Sequence, residues 1–512
     1  MNTRTNRFLQ ALPRAIMLMA GAFFVVILCI LVFFQGTFES YYQNGSLLSN
    51  TILLPISLLG AALWVWFIAS GNGSNINRKD MWVLAGFQIV LLGVQLIAAR
   101  AIWFYPGWDI AMVYTSAQEL ASGQGLTQAM TEYYQLCPNN APITVFLSIP
   151  LAIGVKLGLA VPYAILPYLG ALMLNLTILL CALCLRKITR NRRQFWSFVL
   201  ILSLWIGIHM FMTIPYTDIY SLFFTALTLY LCLSELKSFP KWALMTFTCF
   251  FGASLKPSLA VFFIALLIIK AIGALAHLRE KEQWKRGLIV LIAIVIGIIP
   301  AQIWQNQSTA YLAGSAVPQG QLSTTHYLML GMNGDTMGGH SPDDVVFTSS
   351  FGSLKESQAA NLSEAWSRFT SRSFAENIHF FAAKAYKSYG DGTFGANTSL
   401  LAMQTPHRTD SLSLFLRSIF HTNRPLNAMY STFEQAIWLM LLMLCAYCAI
   451  ACKKHHPIIP IITLALLGLT LYQLLFEVWP RYLFLFAPLY AIMAATGAHQ
   501  LSTQLQALLK KK

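Results

Sequence analysis

The chain is written in long apolar blocks separated by short polar stretches. A helix of about 20 apolar residues crosses a ~30 Å hydrocarbon layer, and the blocks have about that length. They are continuous rather than alternating, which excludes a β-barrel. About 12 transmembrane helices are predicted, at roughly 15–36, 51–70, 82–100, 163–186, 194–213, 217–236, 241–255, 258–276, 287–305, 433–452, 457–476 and 481–499. The run from Ala15 to about Gln35 is too long for a secretory h-region and lacks a clear small-residue cleavage site, so it reads as a retained first span. The fold class is an all-α polytopic membrane protein with interfacial helices and two exported loops.

Composition agrees. The 512 residues are 57% hydrophobic and 10% charged, with a mean hydropathy of +0.60, against about 25% charged in a soluble domain. The net charge of +15 does not imply nucleic-acid binding. Its basic residues concentrate in the termini and in short loops such as RKITRNRR and HLREKEQWKR, where they set orientation. Both termini are then cytoplasmic. The stretch 142–160 is apolar, but counting it as a span would export the RKITRNRR cluster. It also contains Pro142, Pro150 and Lys156, so it is expected to lie at, or dip into, the outer interface. Eight of the nine cysteines lie in or beside apolar segments, leaving Cys137 in an outer loop, so no exported disulfide framework follows.

Four regions result. Residues 1–81 hold a cytoplasmic segment and two spans. Residues 82–305 form a core of spans that includes a first exported loop, 101–162. Residues 306–432 form a large exported loop, and 433–512 the last spans and a basic tail. The large loop has helix-like stretches, SLKESQAANLSEAWSRF and SFAENIHFFAAKAYKSY, and a turn-rich stretch, GMNGDTMGGHSPDD.

Candidate chemistry gathers in the outward turns. Asp109, in WFYPGWDIAMVY, follows a span and begins a short helical pattern, suited to a helix cap or to a catalytic or ligand-binding role. In TEYYQLCPNNAPITVF, Glu132, Tyr133, Tyr134, Asn139 and Asn140 can line a sugar or phosphate site, or anchor a helix at headgroup depth. Asp218 sits at the outer turn of IPYTDIYSLFF. Lys256, in FGASLKPSLAVFF, is placed either to meet a lipid phosphate or to snorkel. Arg481, in FEVWPRYLFLF, can grip phosphate bidentately or pair with Glu477. His340, with His326, Asp335, Asp343 and Asp344, offers ligands of the kind a divalent cation uses, in no dedicated metal-site spacing; Ser-Pro-Asp-Asp is also a good helix start.

Together these pieces resemble the GT-C superfamily, multi-spanning glycosyltransferases that use polyprenyl-phosphate sugars. Asp109 matches the family's acidic residue in the first large outward loop, and Tyr134 to Pro142 its aromatic and proline-rich lead into an interfacial helix. Lys256-Pro257 and Arg481-Tyr482 match a Lys-Pro hinge and an Arg-Tyr late-span start, and LMLGMNGDTMGGHSPDD and KSYGDGTF look like bacterial envelope members. The resemblance covers roughly residues 82–499. It departs from the pattern in its two preceding spans and in lacking an adjacent acidic pair in the key loop.

The resemblance implies a GT-C-like fold in the bacterial cell membrane and an inverting transfer of one sugar, with Asp109 as general base. Lys256 and Arg481 would hold the donor phosphate, and Glu132, Tyr134, Asn139, Asn140, Asp218 and His340 would line the substrate. The implied partners are a polyprenyl-phosphate sugar donor, a glycan, glycolipid or wall-polymer acceptor, and membrane lipids, with no nucleic acid. No cofactor is expected, the missing acidic pair counting against a divalent cation. The competing class is a multi-spanning lipid-linked sugar transporter or flippase.

Overall fold

The computed structural model of the protein describes residues 3–71, 74–105, 107–275, 281–314, 321–397, 408–421, 426–451 and 456–509. Arg279, Lys453, Lys454 and the basic tail 510–512, which enter the charge argument, lie outside the described residues. Apart from one isolated antiparallel bridge, Asn75 to Asn191, the regular structure among the described residues is helical.

The first long helices are α1 (Thr3–Phe33), α2 (Asn50–Ala69) and α3 (Arg78–Ile102). After α3 come α4 (Trp108–Ala121), α5 (Gln128–Leu136) and α6 (Ala141–Lys156). The chain continues through α7 (Ile165–Ile188), α8 (Arg192–Leu204), α9 (Ile206–Met210), α10 (Thr217–Cys232), α11 (Ser238–Leu255), α12 (Ala260–Leu275) and α13 (Lys281–Ala313). The segment between α13 and the last helices contains α14 (Thr324–Gly331), α15 (Pro342–Ser349), α16 (Leu354–Thr370), α17 (Phe374–Tyr389) and α18 (Ser411–Phe420). The last helices are α19 (Asn427–Ala451), α20 (Ile459–Leu475), α21 (Arg481–Phe484) and α22 (Ala487–Leu509).

By length and composition, 8 described helices can cross a membrane: α1, α2, α3, α6, α7, α12, α13 and α19, some extended by their lead-in turns. A ninth results if α8 and the residues to Thr213, bent by 53° at Trp205, form one broken span. Helices α10 and α20 are apolar but only 16 and 17 residues long, short of the about 20 that a full crossing takes.

The largest difference from the sequence reading concerns 142–160. Pro142 occupies the first turn of α6, where no N–H partner is needed, and Pro150 is carried inside the helix without ending it. With its lead-in turn, α6 runs from Pro138 to Lys156, 19 residues, long enough to cross rather than only to rest at an interface. It packs along α4 and against α13.

The bundle closes around an aromatic centre. The Trp438 ring lies 5.0 Å from Tyr490, 5.1 Å from Phe394, 5.9 Å from Trp205 and 6.1 Å from Tyr389. Phe394 does not come from a span. It belongs to the turn Gly390–Ala396 that follows α17, and its φ of 55° turns the ring inward. Asp391 organises that turn by accepting from Tyr42 Oη (2.6 Å), Thr393 N (2.8 Å), Thr393 Oγ1 (2.7 Å) and Gly395 N (2.9 Å). Gly392 N donates to Gln435 Oε1 (2.8 Å), while Gly392 O accepts from Trp205 Nε1 (3.2 Å). Glu434 accepts from Ile206 N (3.0 Å) and Gly207 N (2.9 Å), capping the start of α9. The turn after α17 therefore reaches into the bundle and is hydrogen-bonded there.

Candidate functional site

Asp109 stands in the first turn of α4, but its side chain does not cap the helix. Its Oδ1 accepts instead from Tyr133 Oη at 3.0 Å. Tyr133 Oη accepts from Asn140 Nδ2 at 2.6 Å, and Asn140 Oδ1 accepts from Tyr216 Oη at 2.7 Å. One directed chain thus runs from Tyr216 through Asn140 and Tyr133 to the carboxylate. Each link comes from a different element: Asn140 ends the turn before α6, and Tyr133 sits on α5, whose N-cap Thr127 accepts from Met130 N. Burial, with Tyr216 and Asp109 close by, raises Tyr133 well above the usual tyrosine range, so it remains a neutral donor. Asp109 itself is exposed, which leaves room for a ligand.

Arg481 meets the other end of this chain. Its guanidinium lies 4.6 Å from the Trp108 ring centre, 5.8 Å from Tyr216 and 5.4 Å from Tyr482. Trp108 immediately precedes Asp109 and has a φ of 47°. A bulky side chain in that left-handed region costs about 1–2 kcal/mol, here in a position that lays the indole under Arg481 and edge-on to Tyr216 (5.6 Å). Glu477 does not pair with Arg481; it accepts from Tyr482 Oη at 2.7 Å. Among the described residues Arg481 has no ion-pair partner.

Lys256 lies on the far side of the Tyr482 ring, 4.8 Å from its centre. It caps the C-terminus of α11 and forms a buried ion pair with Asp218 in the first turn of α10. Burial lowers its proton affinity and Asp218 opposes that. Among the described residues Asp218 Oδ2 has no hydrogen-bond partner.

Helix α17 and the stretch 331–338 are tied to the turn that carries Glu477 and Arg481. Lys384 of α17, fully buried, donates to Gly331 O (2.5 Å) and Phe476 O (2.8 Å). Lys387 donates to Thr336 O (2.9 Å) and lies 4.7 Å from the Trp479 ring. Burial pushes Lys387 down to about 8, with Glu477 opposing. Gly338, at φ 70°, presents its carbonyl to Val478 N (2.8 Å). A Cβ there would run into Lys384, so this position requires glycine twice over. Leu322 N donates to Leu136 O (2.9 Å), joining the stretch before α14 to the end of α5. Burial raises the Tyr327 hydroxyl, and Cys137, Glu477 and Asp109 are close enough to add to the shift.

The structure therefore brings Asp109, Asn140, Asp218, Lys256 and Arg481 into one neighbourhood and leaves other candidates outside it. Tyr134 is fully buried and shares a hydrogen bond with Thr144 Oγ1 (2.8 Å). Glu132 is exposed and accepts from Gln128 Nε2 (2.8 Å) one turn away. Asn139 is exposed, with only a 3.5 Å contact to Asn140 Oδ1. His340 is exposed just ahead of α15. Two members of the site went unremarked in the sequence, Trp108 and Tyr216. Each lies within two residues of a noted acid, in GWD and YTD.

A family model described as a conserved hypothetical integral membrane protein matches residues 9–501. The chain belongs to this family. No curated protein and no solved structure matches it. Membership makes the apolar helices those of an integral membrane protein, so the exposed apolar side chains along the middle of α2 and α3 meet lipid.

Two of the residues offered for a cation, Asp344 and His326, are otherwise engaged. Asp344 Oδ1 accepts from Arg368 Nη2 (2.7 Å) and Oδ2 from Asn333 Nδ2 (2.9 Å). His326 Nδ1 shares a hydrogen bond with Thr348 Oγ1 (2.7 Å). Among the described residues no group of three or more His, Cys, Asp or Glu side chains is disposed to hold a metal ion.

Proposed function

We propose that the protein is a membrane glycosyltransferase that moves one sugar from a polyprenyl-phosphate donor to an acceptor hydroxyl on the outer face of the cell membrane. The reading includes a GT-C-like fold of about 12 spans with both termini cytoplasmic, in which α6, although long enough to cross, lies at or dips into the outer interface. The observation that carries it is the directed chain from Tyr216 through Asn140 and Tyr133 to Asp109, with the unpaired Arg481 stacked at its other end. Base and cation are thereby held in one rigid frame, which a bond exchange between an acceptor hydroxyl and a phosphate leaving group needs.

In this reaction Asp109 takes the acceptor proton as the acceptor oxygen bonds to the anomeric carbon. The bond from that carbon to the donor phosphate breaks, and its electron pair leaves with the phosphate. Tyr133 occupies one carboxylate oxygen and leaves the other for the acceptor. Arg481 offsets the charge on the departing phosphate. Lys256 contributes less, because Asp218 already holds it. The phosphate needs no general acid, and attack from the face opposite to it inverts the anomeric centre.

The test is incubation of purified protein with labelled polyprenyl-phosphate hexoses and envelope lipids, wild type beside Asp109→Asn. General-base removal lowers turnover roughly 10²–10⁴-fold. Full turnover in a folded Asp109→Asn protein would reject the assignment.

One observation favours a second reading, a lipid-linked sugar transporter or flippase. Beside the bend at Trp205, Gln95 Nε2 and His209 Nδ1 lie 3.2 Å apart, and Asn175 Nδ2 donates to Gln95 Oε1 (3.1 Å), all buried between spans. Broken helices with polar company mark transport sites. Transport of labelled lipid across proteoliposomes, lost in Gln95→Leu but kept in Asp109→Asn, would favour it over transfer.

A further inference from the structure

One helix of the exported segment is turned inside out. Helix α16 directs Ser357, Asn361 and Ala365 inward, where Asn361 Oδ1 accepts from Thr348 Oγ1 (3.0 Å), and its Arg368 binds Asp344. Its outward stripe is Leu362, Trp366 and Phe369, all exposed and spaced four and three residues apart on one face. The Trp366 and Phe369 rings lie 5.8 Å apart. The next helix opens with Phe374 and Ile378, one turn apart and also exposed. Trp366 is 67% exposed and Phe374 82%, so neither packs on the protein in any useful degree. Soluble surfaces scatter such residues singly; a run of five across two consecutive helices marks a contact surface.

Position selects the occupant. His379, the residue after Ile378, sets its ring 5.1 Å from Phe38 and 6.5 Å from Tyr41, just beyond the end of the first span at Phe33. Phe33 and Phe34 are exposed there as well. The first turns of α17 are thus tethered where a span leaves the hydrocarbon, beside the surface that meets lipid. The stripe residues Leu362, Trp366 and Phe369 are uncharged, and of the charges nearby on the helix Glu364 and Arg368 pair with each other.

We propose that α16 and the first turns of α17 lie on the surface of the bilayer that holds the spans. Leu362, Trp366, Phe369, Phe374 and Ile378 settle among headgroups and upper acyl chains, where aromatic side chains are at home. The attachment is apolar, so it is insensitive to salt and to anionic lipid. It does not depend on the reaction proposed above.

The test uses the full-length protein in phosphatidylcholine nanodiscs, with and without phosphatidylglycerol. Photoreactive benzoylphenylalanine is placed at position 366 or 374, with Ser367, exposed on the polar flank, as the control. Phe369 provides a further position should either variant fold poorly. Mass spectrometry after illumination is expected to find several-fold more lipid adduct at 366 and 374 than at 367, unchanged by high salt or by phosphatidylglycerol. Lipid adducts no commoner at 366 and 374 than at 367 would overturn the proposal, as would adducts in native membranes that carry a second protein instead of lipid.

Discussion

Replacing Tyr133 by phenylalanine removes one oxygen and isolates the contribution of the hydrogen-bonded chain. That oxygen donates to Asp109 at 3.0 Å and accepts from Asn140 at 2.6 Å. A hydrogen bond to a charged group is worth about 1.5–3 kcal/mol. Asp109 is exposed, so water can replace the lost donor and the lower end applies. About 1.5 kcal/mol corresponds to roughly a tenfold loss of turnover. The loss should fall on kcat with donor KM unchanged, because Tyr133 orients the base and does not touch the phosphate. Asn140, nearly fully buried, loses its acceptor at the same time, lowering stability by about 1–2 kcal/mol. Initial-rate kinetics with labelled polyprenyl-phosphate sugar, alongside a thermal melt in detergent, separate the two effects. If a folded Tyr133→Phe protein turns over at the wild-type rate, the chain does not position the base and the proposed mechanism loses its main support.

Other outcomes follow from neighbouring contacts. Arg481→Lys keeps the charge but loses the planar stack on Trp108, and should raise donor KM about tenfold or more, with Arg481→Met worse; equal donor affinity in all three proteins would remove Arg481 from phosphate binding. Asp391→Asn leaves the donors Tyr42 Oη, Thr393 N, Thr393 Oγ1 and Gly395 N facing a weaker acceptor, and should destabilise the protein by about 3 kcal/mol or more, read as a lower melting temperature and faster proteolysis of the exported segment; an unchanged melt would count against the turn as an anchor. Burial lowers His326 from its usual 6.5 to about 4. The unfolded chain therefore binds the extra proton over that interval, and stability falls as pH drops from 6.5 towards 4, by at most about 3 kcal/mol. Hydrogen exchange across α14–α16 at both ends of the interval measures this, and His326→Gln should flatten the dependence; a dependence unchanged in the variant would assign it to another group.

Much of the helical layout was legible in the sequence because apolar blocks and helix caps are local signals. Ser373 and Glu376 form a capping box at the start of α17, and Asn77 and Asp80 one at α3. The span count was less legible. Bends and short helices, such as the break at Trp205 and the 16 residues of α10, follow from what packs against them rather than from hydropathy. Asp109, Lys256 and Arg481 were readable as charged residues at turns between apolar blocks. Their company was not: the choice between the adjacent Tyr133 and Tyr134 depends on a rotation of about 100° around α5, and the link from Asn140 to Tyr216 spans 76 positions. GMNGDTMGGH was read as a loop with candidate ligands, whereas it clamps the Arg481 turn through Lys384, Lys387 and Gly338.

The turn at Gly390–Ala396 bears on how the protein can be handled. Phe394 fills space between Trp205, Trp438 and Phe484, and a side chain added at Gly392 would collide with the Glu434 backbone. Trimming away the second exported segment would leave a vacancy among these rings, and the trimmed piece would carry an apolar plug with nowhere to sit. Antibodies or fusion partners intended to enlarge the protein for imaging are therefore better aimed at intact α15 than at an isolated fragment.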